Sequence, residues 1–486
     1  MSDSTKSPAA SRKSLSGHYI LGIDVGTTSV KVCLVNVETR EVSHKFVKDT
    51  LAAVAKDVPP ADLQDASKLF SALHGCVSRI PHDFLARVVR IAICGQMHGI
   101  MFWKHGQGWH WHPEHQGSKH QHWEVSKQVS PVYTWQDARC SETFLRNDIP
   151  DPDSHLRLAT GYGCTTLFWL WKNQDPVLQD KDRCGTIMDY IVNLLTENQT
   201  VKTSEQLAAS WGYFNTTKNE WNRDILNSAG FPTQMLPEVL SAETTAGVLA
   251  HPWFDIPQGT PIGVALGDLQ CSVRSTLIEP NTDAVLNVST SAQMAFVKKA
   301  PFEPPTQVGT TYEYFPYFGG TYVAVAASLN GGNCLAAFVK MLQSWTVDLG
   351  LSINQSKIWE KTIECGQNTD HSDGELMRIQ PLLFGERHDP TLQGSVDSIH
   401  LDNMSLGQVT RGICHGIAKN LADMMSPQML QDAGIQRIVG SGACLTRNPV
   451  LKGEFQDVYQ MPVEFLEEGS ACIGAALAAL DVNFTS

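Results

Sequence analysis

The amino-acid sequence predicts a mixed α/β protein made of two related halves with a ligand held between them. Three observations carry this expectation. Two short hydroxyl-rich turns, Asp24-Val25-Gly26-Thr27-Thr28-Ser29 and Asn287-Val288-Ser289-Thr290-Ser291, lie about half a chain apart, each between apolar strand-like runs. Runs with strand spacing and runs with helical spacing follow one another along most of the chain. The length of 486 residues accommodates two or three domains.

The elements follow in chain order. Residues 1–17, "MSDSTKSPAASRKSLSG", are small and polar and are expected to form a disordered tail. They lack the apolar core of a secretory signal. Residues 19–25, 29–37 and 42–47 read as a three-stranded meander with breaks at Gly26 and near Glu38-Thr39. Residues 63–78 have helical spacing, and 88–103 read as strand, glycine-containing break, strand. The polar stretch "GWHWHPEHQGSKHQHWEVSK" is expected to be irregular, and a helix is expected to begin near Ala138. Residues 164–176 read as a buried helix ended by Pro176.

"GTPIGVALGDLQCSVRSTL" carries a strand, a Gly-Asp turn and a helix. "TDAVLNVSTSAQMAFV" begins in the same way, with its turn at Ser289-Thr290-Ser291. By that parallel its second part is a helix; by the parallel with Thr27-Thr28 it is a strand. "IEPNTD" has linker composition, which puts a boundary near 277–283 and divides the chain into 18–277 and 278–486. Further on come strand, Gly-rich turn, helix and strand in "IQRIVGSGACLTRNPVLKGEFQDVYQMPVEF", then a small-residue helix in "GSACIGAALAAL".

Composition narrows the function. A net charge of -13 without a Lys/Arg cluster argues against a nucleic-acid partner. No apolar run approaches the roughly 18 residues of a membrane span, so no membrane partner is expected. Oligomeric state is left open. The 12 cysteines include no CxxC pair, which argues against zinc clusters and redox dithiols. Free thiols in the reducing cytoplasm are the simplest reading. The histidine-rich stretch 105–122 holds His105, His110, His112, His115, His120 and His122, but neither its spacing nor its lack of cysteine suits a tetrahedral metal site. It is expected to be a solvated insertion.

The first turn suits a particular chemistry. Gly26 lets the backbone approach a ligand, and hydroxyls with backbone N–H groups can bind an anion's oxygens. Asp24 is an oxygen ligand suited to Mg²⁺. A phosphate with its metal fits this set, and an ordinary Gly-Thr hairpin also fits the turn taken alone. No G-x-x-x-x-G-K-[ST] sequence occurs, so a Walker-type loop is excluded.

Four elements in order, "GIDVGTTSVKV", "GDLQ", "NVSTSAQ" and "GSGACLTRNPVL", resemble the FGGY carbohydrate kinases of the actin-like superfamily. The resemblance covers nearly the whole chain after the tail. It implies two actin-like (ribonuclease H-like) domains with an ATP and sugar cleft between them. One departure concerns the helix "TTLFWLW", where Thr166 or a neighbour stands in place of the lysine that many members carry. The versions "CGQMHGIMFWK", "TWQDARC", "AASWGYFNT" and "GERHDP" are similar to members acting on the seven-carbon ketose sedoheptulose. Members acting on xylulose share "GQMHG".

The resemblance also implies roles. Gly26, Thr27 and Thr28 would face the transferred phosphate of ATP, with Ser289 and Thr290 opposite. Asp24, with Asp268, would hold Mg²⁺. Asp268 would take the proton from the attacking sugar hydroxyl, as this chemistry requires. Read alone, Asp268 is an N-cap for the helix that follows. Gly442, Ala443 and Asn448 resemble the adenine loop, and Gly331 and Gly332 its second wall; both stretches also read as helix-capping loops. Gln96, Met97, His98, Trp135, Asp137 and Asp268 resemble the sugar contacts, with Trp211, Tyr213 and Asn215 as further candidates. His98 taken alone reads as a structural histidine.

Overall fold

The computed structural model describes residues 17–54, 61–113, 121–306, 311–369, 377–466 and 469–481. The expected tail, apart from Gly17, and His115 and His120 lie outside the described residues.

The β-branched run Tyr19–Val25 is buried along its whole length and forms the centre of the first sheet. It pairs antiparallel with Ser29–Asn36, which pairs antiparallel with Val42–Asp49. On its other side it runs parallel to Val88–Gly95, with Ile23 opposite Ile93 and Val25 opposite Gly95. Pro261–Gly263 continues the sheet in parallel, and Thr245–Val248 closes the edge.

The second sheet repeats this order. Asp283–Val288 pairs antiparallel with Ala292–Lys298, which pairs antiparallel with Tyr322–Ser328. On the other side Asp283–Val288 runs parallel to Arg437–Ser441, and that strand to Val463–Phe465. The segment after Ser291 is therefore a strand, and both hydroxyl-rich turns are hairpins between the first two strands of their sheets. Each hairpin closes on itself: Gly26 N–H donates to Ser29 O at 3.1 Å and Ser289 N–H to Ser291 O at 3.0 Å.

Several elements differ from expectation. The expected helix at 63–78 is the helix Ala66–Val77, because Asp65 caps it by accepting from Ser67 N and Lys68 N. The residues before it pair as a short strand with Val132–Tyr133. The helix expected from Ala138 starts at Glu142 behind the cap Ser141. The stretch expected to be irregular holds an antiparallel hairpin, Trp109–His112 against His122–Val125. Trp109, Trp111, Trp123 and Val125 occupy alternate positions there, and the Trp111 and Trp123 rings lie 4.5 Å apart. That alternation is a strand signal obscured by the intervening histidines. His112 and His122 stand opposite each other at the end of the pairing nearest the connecting segment.

The last helix, Ala471–Asp481, does not stay with the half assigned to 278–486. It packs on Ile20, Cys33, Ala92 and Cys94 of the first sheet and on Cys271 of the helix Asp268–Thr276. Two glycines permit the approach. A Cβ on Gly22 would stand 2.1 Å from the Cys472 carbonyl oxygen, and one on Gly474 would stand 1.8 Å from the Cys271 carbonyl oxygen. At the base, the halves share an apolar cluster that includes Leu167, Trp211, Val285 and Phe315. His155 Nε2 to Tyr314 O at 2.7 Å and Gln270 Nε2 to Pro316 O at 3.1 Å tie them together. Among the described residues no helix is long and apolar enough to cross a membrane.

Because both contacts are to backbone, which cannot rotate away, Gly474→Ala should lower stability by about 1–3 kcal/mol or more. Thermal denaturation checks this; a variant as stable as the parent would mean that the helix tolerates displacement.

Candidate active site

Between the two sheets lies a cavity of 490 Å³. One wall carries Asp24, Gly26, Thr28, Lys31 and Asp268; the other carries Asn287, Ser289, Ser441, Gly442 and Ala443. Strand ends at one level create it. Val25, Gly95 and Gly267 are neighbours across the first sheet, so the residues just before and after them converge.

Asp24 lies opposite Lys31 in the hairpin register, and Lys31 Nζ stands 3.3 Å from its Oδ2. Asp24 is buried, and burial raises its pKa, with Lys31 opposing the rise. Asp268 is the first residue of its helix. Gly267 occupies the cap position, so the N-cap reading does not apply. Asp268 Oδ1 accepts from Leu269 N at 2.8 Å. Burial, then the negative charge of Asp24, push its pKa up to about 7, while Leu269 N–H and Lys31 pull it down. At neutral pH this carboxyl is poised between acid and base, the range suited to proton transfer.

Mg²⁺ is commonly held by one or two carboxylates together with waters and phosphate oxygens. Asp24 and Asp268 in one polar cavity fit that donor set. Among the described residues no group of three or more His, Cys, Asp or Glu side chains gathers around a metal-sized space, so the protein alone offers no closed cage.

The second turn is backed by the "NGGN" loop. Gly332 N–H donates to Ser289 O and Asn333 N–H to Thr290 O, both at 3.0 Å. A Cβ on Gly331 would stand 2.5 Å from the Ser291 carbonyl carbon, and one on Gly332 would stand 2.2 Å from Ser289 O. These glycines thus seat the second turn and are not among the residues lining the cavity. Gly442, at φ +102°, and Ala443 do line it. Asn448 does not: it is buried, and its Oδ1 caps the helix Pro449–Tyr459 through Leu451 N at 3.2 Å. Thr446, Arg447 and the segment Gly469-Ser470-Ala471 line the cavity and escaped sequence reasoning. The return of the final helix to the first sheet brings that segment there, and no local pattern announces it.

A second cluster lies beside the first turn. Thr27 points toward it: its Oγ1 donates to Gln96 Oε1 at 3.2 Å and accepts from Trp135 Nε1 at 3.1 Å. Gln96 Nε2 donates to Gln64 Oε1 at 2.9 Å, and Gln64 Nε2 to Thr27 O at 2.7 Å. Gln64 is a missed member of this network. Met97 packs against Gly267, where a Cβ would stand 2.8 Å from its sulfur. His98 adopts φ +74° and stacks on Tyr162, with centroids 4.5 Å apart. Its Nδ1 lies 2.8 Å from Ser210 O, a carbonyl that can only accept, so the proton sits on Nδ1 and Nε2 is left as an acceptor. Burial, then the charge of Arg387, lower its pKa to about 3.

Other sugar-side candidates are structural. Asp137 is fully buried and pairs through both oxygens with Arg139, at 2.7 and 2.9 Å, while Asp62 N donates to Oδ2 at 3.1 Å. Trp211 is buried and donates to Gly99 O at 3.1 Å. Tyr213 is buried and its hydroxyl meets Pro150 O. Asn215 caps a turn through Lys218 N at 2.9 Å.

An open cleft between two duplicated sheets, with two hydroxyl-rich hairpins and two carboxylates facing one cavity, is the architecture of an actin-like phosphotransferase. Residues 118–274 match the model of the N-terminal domain of the FGGY family of carbohydrate kinases. The chain is 44% identical over 473 residues to sedoheptulokinase from Homo sapiens, covering 95% of this chain and 97% of that protein. It is also 44% identical over 469 residues to sedoheptulokinase from Mus musculus, with coverage of 95% and 97%. The crystal structure of xylulose kinase from Rhodospirillum rubrum superposes with a TM-score of 0.77 at 18% identity, covering 95% of this chain and 89% of that one, and shows the shared fold. The chain belongs to the FGGY family of carbohydrate kinases and is a carbohydrate kinase.

The raised pKa of Asp268 has a consequence for stability. Folding favours its protonated form, so the stability it contributes is full below the ordinary value of 3.8 and lost as pH rises through about 7. Asp268→Asn removes that loss. Its Tm should exceed the parent's by a few degrees at about pH 8, with the gap shrinking toward about pH 5; an equal Tm at both would contradict the assignment.

Proposed function

We propose that the protein transfers the γ-phosphoryl group of ATP to sedoheptulose, giving sedoheptulose 7-phosphate and ADP. The observation that carries the phosphoryl-transfer part is the carboxyl of Asp268, raised to about 7 and set in the cavity that both hairpin turns face. The 44% identity over nearly the whole chain supports the choice of sugar.

In this reading Asp268 accepts the proton of the terminal sugar hydroxyl as that oxygen bonds to phosphorus and the bond to ADP breaks. Thr28 and backbone groups of the first turn meet the transferred phosphoryl, and Ser289 and Thr290 meet the phosphates from the other half. Asp24 and Asp268 would hold Mg²⁺, which when bound neutralises phosphate charge. Lys31 offsets the charge of Asp24 when no ligand is present. The surface of Gly442 and Ala443 receives the adenosine, since the missing or small side chains allow a flat base to come close. Trp135, His98 and Gln96 orient the sugar, and His98 Nε2 accepts a hydrogen bond from one of its hydroxyls. Asp137, through Arg139, holds the Trp135 loop in place. Domains of 18–277 and 278–486, with the final helix returned to the first, close on the substrates and exclude water as a competing acceptor. The described cysteines are all unpaired, in keeping with a cytoplasmic enzyme, and its product would feed the pentose phosphate interconversions.

Asp268→Asn should bind both substrates and lower kcat by roughly 10²–10⁴-fold, the usual scale for a positioned acid or base. Steady-state kinetics test this, and near-parental turnover would remove Asp268 from its role. Sedoheptulose and xylulose in one competition, read by mass spectrometry of the phosphorylated products, test the sugar. The seven-carbon product should dominate; a five-carbon preference would move the substrate and leave the chemistry in place.

A further inference from the structure

The sugar-side cluster receives one side chain from the far half of the chain. The Arg387 guanidinium lies over the Trp135 ring, 5.7 Å from its centroid. Its charge also helps to lower the pKa of His98 and opposes the burial-driven rise at Tyr162, the ring stacked on His98. Among the described residues it has no ion pair and no hydrogen-bond acceptor. A guanidinium offers five N–H donors in a fixed fork and accepts nothing. Arg387 is exposed, and its guanidinium stands over Trp135 of the other half with no protein hydrogen-bond partner among the described residues.

The loop that presents it is built for the purpose. The preceding residue, Glu386, is fully buried, and its carboxylate accepts from Ser328 Oγ at 2.6 Å, Leu329 N at 2.9 Å, Asn330 Nδ2 at 3.0 Å and Asn420 Nδ2 at 2.8 Å. Asn330 Nδ2 also donates to Gly385 O at 2.8 Å. The segment Ser328–Asn333 that anchors Glu386 is the same one that seats the second phosphate turn through Gly332 and Asn333. Arg387 is therefore fixed to the phosphate-side turn of its own half while its head stands in the sugar side of the other.

We infer that Arg387 determines specificity: from the second half it donates to hydroxyl or carbonyl oxygens at the end of the acceptor remote from Asp268. A long polyhydroxylated ketose then bridges both halves, and a short polyol, held by the first half alone, does not. The inference rests on the sugar-kinase reading above and adds the residue that senses acceptor length. Trp135 supplies the flat face that holds the guanidinium in place.

The test measures kcat/KM for sedoheptulose, xylulose and glycerol in the parent, Arg387→Ala and Arg387→Lys. Loss of a charge-assisted hydrogen bond should lower the sedoheptulose value by roughly 10- to 100-fold in the alanine variant. The fall for glycerol should be at least about tenfold smaller, so the ratio between long and short acceptors collapses. KM for ATP should stay near the parent's. Lysine keeps the charge but not the fork, and should restore only part of the ratio; it also carries the test if the alanine variant fails to fold. An equal fall for all three acceptors, or an unchanged ratio, overturns the inference. A parent enzyme with no preference for the seven-carbon ketose overturns the underlying substrate reading instead, whatever the variants do.

Discussion

The contact on which the site depends is made by atoms that are missing. Gly22 and Gly474 have no Cβ, so the helix Ala471–Asp481 lies directly on the strand that carries Asp24 and on the helix that begins with Asp268. That wedge fixes the relative height of the two carboxylates. It also brings Gly469 and Ser470 to the cavity wall, although they follow the whole second sheet in sequence. A methyl group at either glycine would push these parts away from one another.

Once the geometry is fixed, the electrostatics follow. Two carboxylates line one cavity, and Lys31 is paired with Asp24 at 3.3 Å. Burial raises both pKa values, and at Asp268 the negative charge of Asp24 adds to it, so that carboxyl rises to about 7. Holding two such carboxyls in one cavity costs folding energy. This is the expected compromise between stability and activity. Beside Trp135 the balance is different: Asp137 is paired with Arg139 at 2.7 and 2.9 Å, and burial keeps His98 neutral.

Much of the fold was legible because the apolar runs are long and their punctuation is strong. The duplicated turns, the meander and the strand-turn-helix at Gly267-Asp268 follow from period and turn chemistry alone. The hairpin at 109–125 was obscured because histidines fill the positions between its tryptophans. The site was legible where a role belongs to one short segment, as with Asp24, Asp268, Gly442 and Ala443. It was not legible where tertiary packing decides which way a side chain points. Thr27 turns to Gln96 and Trp135, Asp137 turns inward to Arg139, Asn448 caps a helix, and Gly331 and Gly332 support a turn. Arg447, Ser470 and Arg387 reach the cleft from distant segments; Arg387 and Arg447 stand in stretches that carry the family resemblance, but no local pattern shows that their side chains meet this cleft.

The central claim is that Asp268 is a shifted carboxyl beside Asp24 in one cavity. Isotope-edited infrared or carbon NMR titration of the Asp268 carboxyl in the unliganded protein measures it directly. Titration near pH 7, moving downward in an Asp24→Asn variant, is the predicted result. Titration near pH 4, or a midpoint indifferent to Asp24→Asn, would contradict the account.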